Sequence, residues 1–330
     1  LIYIKNKPGT ANAKSCLQSF YYLSHYFEEP LMKKTIIASV LFAAFAVPAM
    51  AQTAAPAAEA TPAAAPAGPH TFTGNVGFAS DYLFRGISQS HGKPAIQGGF
   101  DYAHESGLYA GVWGSSIAWV SDAQNTSVPL EIDVYGGYKS TFAGGDWNYD
   151  IGLITYNYPG SKDVTANASA KADTVEVYGA IGWKWLTAKY SHTTSSHFVA
   201  WYGGPAGADT SKNTRGSGYF ELNAAYDLGD GWGITGHLGH QKVRDYQKVN
   251  DTDASYSDWK LGVTKDVGFG VVGLAYSDTT SKGTCNSNGV AGANGNNAYC
   301  WGVYSAGSNT STDFRNASKG QAVLTFNKTF

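Results

Sequence analysis

From His70 to Phe330 the chain is divided into segments of about ten residues, the length of a strand crossing a bilayer, in which apolar and polar side chains alternate. Side chains along a strand point to opposite faces in turn, so each such segment has a greasy face and a polar one. The alternation predicts twelve strands, near 72–84, 94–103, 107–119, 129–142, 146–158, 173–182, 184–193, 217–228, 231–244, 254–265, 268–279 and 320–330. In the first, Val76, Phe78, Tyr82 and Phe84 fall on one parity, and Asn75, Asp81 and Arg85 on the other. Strand four sets Leu130, Ile132, Val134 and Tyr138 against Glu131, Asp133 and Lys139, and strand eight sets Phe220, Leu222, Ala224 and Tyr226 against Glu221, Asn223 and Asp227. Strand ten repeats the pattern with Trp259, Leu261 and Val263 against Asp258 and Lys260. Strands three and eleven are apolar on both parities, which leaves their facing open.

The connections carry as much information as the strands. After strands two, four, six, eight and ten come the short turns HESG, AGGD, GWK, LGDG and KDVG, whereas the odd strands are followed by longer polar loops, the largest at 194–216 and 280–319. Short turns at one end and long loops at the other, with an even strand count, are the asymmetry of an outer-membrane barrel. A soluble sandwich would share the alternation but not that asymmetry. The expected fold is therefore all-β, a transmembrane up-and-down antiparallel barrel of twelve strands. A charge on the lipid face costs ~2–4 kcal/mol at the membrane midplane, so the apolar parity should face outer-membrane lipid and the charged parity the interior. Trp113, Trp119, Trp147, Trp232, Trp259, Tyr138 and Tyr226 are candidates for the aromatic girdles at the two interfaces, or else for a packed core.

Composition agrees with this picture. Charged residues make up 15% and aromatics 14%, with 22 Tyr and 40 Gly, against roughly 25% charged in ordinary globular chains. Met32 to Ala51 has a basic start at Lys33 and Lys34, an apolar stretch from Ile36 to Val47 and a small-x-small end at Ala49–Ala51, the form of a secretory signal peptide cut before Gln52. The apolar run is shorter than the ~20 residues a spanning helix needs. A signal peptide opens a translated chain, so Met32 is the expected start and 1–31 an upstream segment; Glu28-Glu29 can be encoded by a purine run of ribosome-binding type. Residues 52–69 read as an Ala/Pro-rich periplasmic linker and 70–330 as the barrel.

Loss of 1–51 would remove five basic and two acidic residues, leaving 18 basic and 23 acidic, a mild acidic excess that argues against nucleic acid as a partner. Cys285 and Cys300 would remain, an even pair suited to one disulfide in an oxidising compartment, where it would restrain the longest outer loop.

The inward parity collects Asp81, Asp101, Glu131, Asp133, Asp150, Glu176, Glu221, Asp227 and Asp258 against Arg85, Lys139, Lys189 and Lys260. Nine acids against four bases predict a pore lining that concentrates cations, with pairing across strands and a plugged lumen as the alternative. Arg85 is expected near the outer mouth, paired with an acid such as Asp101 or Glu131.

The stretch Thr73 to Trp119, with SDYLFRGISQS followed by GFDYAHESGLYAGVWGS, resembles the opening of the TorF-type putative porins, a family of conserved hypothetical exported bacterial proteins. The resemblance runs through EIDVYGGYKSTF of strand four; the loops 194–216 and 280–319 are unmatched. It implies a porin class and no particular solute. The final AVLTFNKTF is similar to the closing strand of bacterial outer-membrane proteins, which implies the barrel-assembly machinery as a partner through Phe330, although Lys328 departs from that pattern.

Other chemistry is thinner. SHTTSSH at 191–197 offers His192, His197 and hydroxyls but no nucleophile-elbow frame and no nearby Cys or acid cluster for a metal. NDTDASYSD at 250–258 lacks the glycine and distal glutamate of an EF-hand. The expectation is a channel for passive diffusion of small hydrophilic solutes or ions, without catalysis, metal or cofactor. The alternative is a non-conducting structural or adhesive barrel whose loops bind a partner, with Phe198, Trp201 and Tyr202 as candidate contacts or constriction residues.

Overall fold

The computed structural model describes residues 68–124, 126–163, 170–201, 212–246, 253–281, 283–285, 297–304 and 311–330. The expected upstream segment, the signal peptide, nearly all of the linker, and Tyr202 lie outside the described residues. The described strands are β1 (His70–Ala79), β2 (Leu83–Phe84), β3 (Ile87–Ser88), β4 (Ala95–His104), β5 (Leu108–Ser116), β6 (Leu130–Phe142), β7 (Trp147–Asn157), β8 (Thr174–Trp183) and β9 (Leu186–Thr193). They continue with β10 (Gly218–Gly229), β11 (Trp232–Lys242), β12 (Tyr256–Asp266), β13 (Val271–Thr279), β14 (Cys300–Tyr304), β15 (Ser311–Asn316) and β16 (Gln321–Thr329); one short helix, α1 (Trp119–Gln124), lies between β5 and β6.

Twelve of these strands close into an antiparallel barrel in the order β1-β16-β13-β12-β11-β10-β9-β8-β7-β6-β5-β4. Closure removes the open sheet edges that a bilayer could not hydrate. The last seam is made by β1 and β16, with Phe78 opposite Phe326, and Gly74 and Phe330 exchange two backbone hydrogen bonds of 2.8 and 2.9 Å. Phe330 thus completes the ring, and Lys328, at the rim, donates to the Phe269 carbonyl at 3.1 Å.

Burial sorts the two parities. Val134, Leu222, Leu261, Leu274 and Leu324 are exposed on the outer surface, while Glu131, Asp133, Glu176, Glu221 and Asp258 are buried on the inner one. The two ambiguous strands resolve in the same sense: on β5 Leu108 and Val112 face out and Tyr109 and Trp113 in, and on β13 Leu274 and Tyr276 face out and Ser277 in. Burying these five acids on one side and exposing the apolar set is the reverse of a soluble protein and the arrangement a bilayer selects. At the short-turn end a row of rings rims the barrel, including Phe142 and Trp147 (6.0 Å), Trp147 and Trp183 (6.2 Å) and Phe269 and Phe326 (5.8 Å). Trp232, Trp259 and Tyr226 are exposed as girdle residues should be, but Trp113 and Trp119 are buried inside the barrel and its outer loops, which corrects their assignment to a girdle.

The first strand departs most from the alternation. β1 ends at Ala79 instead of near 84, and residues 80–94 leave the wall to form the small β2–β3 hairpin, paired Leu83 to Ser88 and Phe84 to Ile87. Tyr82 and Phe84 do not face lipid: they are 2% and 6% exposed and belong to the inner core. The longest outer loop also contains structure that the sequence pattern did not show, the β14–β15 hairpin. Cys285 and Cys300, at the start of β14, form a disulfide with Cα atoms 5.5 Å apart.

Candidate functional site

The segment 80–94 is turned inward by its own side chains. Asp81 Oδ1 accepts hydrogen bonds from Ser88 Oγ (2.8 Å), Ser90 Oγ (2.7 Å) and the Gly92 amide (3.2 Å), tying the two legs of the hairpin together at its base. The tip is a two-residue turn, Arg85-Gly86, with both residues at positive φ (50° and 77°). Such mirror-image turns suit hairpin twist, but they favour Asn, Asp or Gly at the first position. A left-handed arginine costs ~1–2 kcal/mol, so something must hold it there.

What holds it is the far wall of the barrel. Arg85 forms a two-pronged ion pair with Glu176 of β8 (Nη2–Oε2 2.6 Å, Nη1–Oε1 3.2 Å) and donates from Nη1 to Gln241 Oε1 of β11 at 2.6 Å. Its own carbonyl accepts from the Tyr256 hydroxyl of β12 at 2.9 Å. The guanidinium lies over the rings of Tyr219 (4.3 Å), Phe84 (4.6 Å) and Phe198 (5.4 Å). Glu176 also accepts from Tyr156 (3.0 Å) and Thr193 (3.3 Å). A fully buried charge pair is tolerable only when satisfied in this way. Gly86 is required twice over: its φ is positive, and a Cβ there would stand 2.8 Å from Thr279 Cγ2 and 2.9 Å from Asp258 Cβ. The hairpin therefore spans the lumen from the β1–β4 side to the walls of β8, β11 and β12.

Arg85 is paired with Glu176, not with Asp101 or Glu131, which corrects the expected partner. The reason is the departure of the chain from the wall at Ser80, which carries Arg85 away from its strand neighbours. On the near side, the Tyr82 hydroxyl of the hairpin donates to Glu131 Oε1 at 2.8 Å and its ring meets Trp113 edge-on at 5.6 Å. Asp133, next to Glu131 on the same face, is buried.

The remaining charged residues occupy other levels. Asp101 accepts from Tyr135 (2.5 Å), and Asp150 accepts from Tyr109 (2.6 Å), whose hydroxyl also meets that of Tyr178 (2.5 Å). Lys139 and Lys189 lie 5.4 and 4.2 Å from the Tyr109 and Tyr178 rings. These groups line the half of the lumen nearer the short turns. Asp258 joins a buried network with His237 (Nε2–Oδ2 2.9 Å) and Tyr219 (2.9 Å); Glu221 accepts from Asn223 (2.8 Å), which also contacts His237 Nδ1 (2.6 Å). Asp227 is exposed at the rim, where it accepts the Gly229 amide at 2.8 Å. Lys260 borders a small cavity of ≈ 50 Å³ that Ala79, Asp81, Gln97, Gly262 and Ala275 also line, beside the hairpin residues Tyr82 and Leu83.

Above the hairpin, aromatic rings pack together in the outer half of the barrel. Trp119 meets Tyr158 at 5.2 Å and Trp301 at 5.7 Å, Trp201 meets Tyr246 at 5.4 Å and Tyr299 at 5.6 Å, and Tyr256 meets Tyr299 at 5.1 Å. Phe198 is buried against this group. The outer loops are bonded to the hairpin: Ser88 N donates to Ala317 O (2.8 Å), Ala118 N to Gln89 O (2.8 Å) and Arg315 Nη1 to His91 O (3.1 Å), and His91 Nδ1 meets Asp122 Oδ2 of α1 at 2.5 Å. Among the described residues no group of three His, Cys, Asp or Glu side chains converges as a metal site.

Sequence reasoning missed Gln241, Tyr219, Tyr256 and Tyr156, because neutral residues that satisfy a buried arginine carry no charge signal of their own. The Arg-Gly dipeptide followed by serines two and four residues beyond Gly86 was the available hint of a turn capped by Asp81. Asp81→Ala should loosen the base of the hairpin and lower stability by about 1–3 kcal/mol, as loss of hydrogen bonds to a buried charged acceptor does; urea unfolding in detergent measures it.

A closed twelve-stranded barrel with an apolar exterior, a charged interior and a hairpin across its lumen defines an outer-membrane-type β-barrel. A family described as a bacterial protein of unknown function (Gcw_chp) matches residues 63–302, and the chain belongs to that family. No curated protein matches the chain in sequence. Among solved structures the chain is similar to the KdgM porin (6% identity, 79% of this chain and 99% of that one, TM-score 0.42) and the NanC porin (10%, 79% and 99%, 0.39). It is also similar to outer membrane phospholipase A from Escherichia coli (11%, 78% and 91%, 0.35).

Proposed function

We propose that the protein is an outer-membrane channel for small hydrophilic solutes, cation-preferring, whose passage is set by the 80–94 hairpin. The observation that carries this reading is a polar, charged lumen crossed by a hairpin latched to the far wall through Arg85 and Glu176. A barrel meant only as an anchor needs no charged lumen, whereas a channel needs both a polar path and a means of limiting it. The resemblance of SDYLFRGISQS to TorF-type porins supports the same class, and that motif is the hairpin itself.

The inward acids other than Asp227 number eight against the four bases, and this excess supports cation preference because fields from a low-dielectric wall act over several ångströms. Reversal potential across a planar bilayer under a salt gradient tests it. The expected potential has the sign of cation selectivity, and Asp101→Asn with Asp150→Asn should reduce it; a potential of the opposite sign would remove the cation preference.

The filled outer half of the lumen favours a second reading, a non-conducting barrel with partner-binding loops. It predicts no current from the wild type and none after the hairpin is released.

A further inference from the structure

Asp133 is the least explained charged group in the barrel. Its side chain is 0% exposed, and neither carboxylate oxygen has a hydrogen-bond partner among the described residues. Its register neighbours are Trp113 on β5 and Tyr156 on β7, and the Tyr156 hydroxyl is already given to Glu176. Two positions earlier on the same inner face stands Glu131, equally buried, which holds the Tyr82 hydroxyl at 2.8 Å and has the Tyr158 hydroxyl beside it. The nearby cation, Arg85, is committed to Glu176 with two bonds. Two carboxylates side by side in a buried position repel one another and lose their hydration, a cost that a shared proton or a counter-charge between them relieves.

We propose that Glu131 and Asp133 form a binding site for a hard divalent cation of the calcium class, placed between β6 and the lumen hairpin. All the available donors are oxygen: two carboxylates, and the hydroxyl oxygens of Tyr82 and Tyr158. That set suits calcium, which accepts irregular oxygen shells, better than zinc or copper, which favour nitrogen and sulfur, or magnesium, which demands a strict octahedron. With two carboxylates and not the three or more of tight sites, the affinity should fall near 0.1–1 mM, the range of sites exposed to the external medium. Because Tyr82 belongs to the hairpin, the ion would fasten its near leg to β6 as Glu176 fastens its tip to β8. The proposal rests on the hairpin's position and is independent of whether the barrel conducts.

Terbium is the probe, since Trp113 and Tyr82, whose rings meet beside the site, can sensitise its emission. Excitation of the tryptophan and tyrosine bands of the folded full chain in detergent should give terbium luminescence that calcium displaces, and Glu131→Gln with Asp133→Asn should weaken that component at least tenfold. Equal luminescence from the double variant and the wild type would overturn the proposal. Should the variant fail to give the heat-resistant folded band, the wild type decides alone. Its Tm should rise on replacing EGTA with several millimolar calcium, and an unchanged Tm would show that the pair holds a proton or water instead.

Discussion

Replacing Arg85 with alanine is expected to free the hairpin tip and turn a nearly closed barrel into one that passes current in clearly larger steps. The substitution removes the two bonds to Glu176, the bond to Gln241 and the ring contacts with Tyr219 and Phe84. It also leaves Glu176 buried without its counter-charge, a situation that costs roughly 3–5 kcal/mol. Since the barrel wall is held by its own ladder, the cost should be relieved by displacement of 80–94 and entry of water, not by loss of the barrel. Glu176→Gln in the Arg85→Ala background should return much of the lost stability while keeping the larger current. Equal unfolding midpoints and equal step sizes for wild type and Arg85→Ala would mean that the ion pair neither fastens the hairpin nor limits passage.

The second large effect belongs to the lipid face. Leu261 is 57% exposed at the middle of β12, between inward Lys260 and Gly262. Leu261→Arg should lower folding stability in lipid vesicles by about 2–4 kcal/mol, the cost of a charge at the membrane midplane. Leu261→Phe should be close to neutral, because the site asks only for apolar surface. Measured by urea titration of tryptophan fluorescence in vesicles, equal stability of the arginine variant and the wild type would place this face in water and remove the membrane assignment.

Most of the barrel was legible in the sequence because most of its strands obey one rule of alternation. Leu130, Ile132 and Val134 against Glu131 and Asp133 leaves a single way to sit in a bilayer, and short turns such as LGDG set the direction of each hairpin. The failure at Tyr82 and Phe84 has the same origin. Val76, Phe78, Tyr82 and Phe84 share a parity across the end of β1, but parity reports only that a strand has two faces; in a hairpin inside the lumen both faces meet protein. The decisive signal was local, a positive-φ Arg-Gly turn whose arginine is tolerated only because Glu176, 91 residues away, receives it. Trp113 and Trp119 misled for a related reason: an aromatic ring suits an interface or a core equally well, and here both join a core that wall residues such as Tyr109, Tyr135 and Tyr156 form with the hairpin and outer loops. The long-range partners of Arg85 come from β8, β11 and β12, a convergence that no spacing along the chain could announce.

On the proposed reading the hairpin sets what passes through the barrel. The most direct test is single-channel conductance of the full chain with residues 82–91 replaced by a short Gly-Ser bridge, compared with the wild type in the same bilayer. The expected result is a several-fold larger, steady conductance that keeps cation selectivity, because the acidic wall remains after the hairpin is gone. A shortened protein that folds, inserts and carries no more current than the wild type would contradict the account.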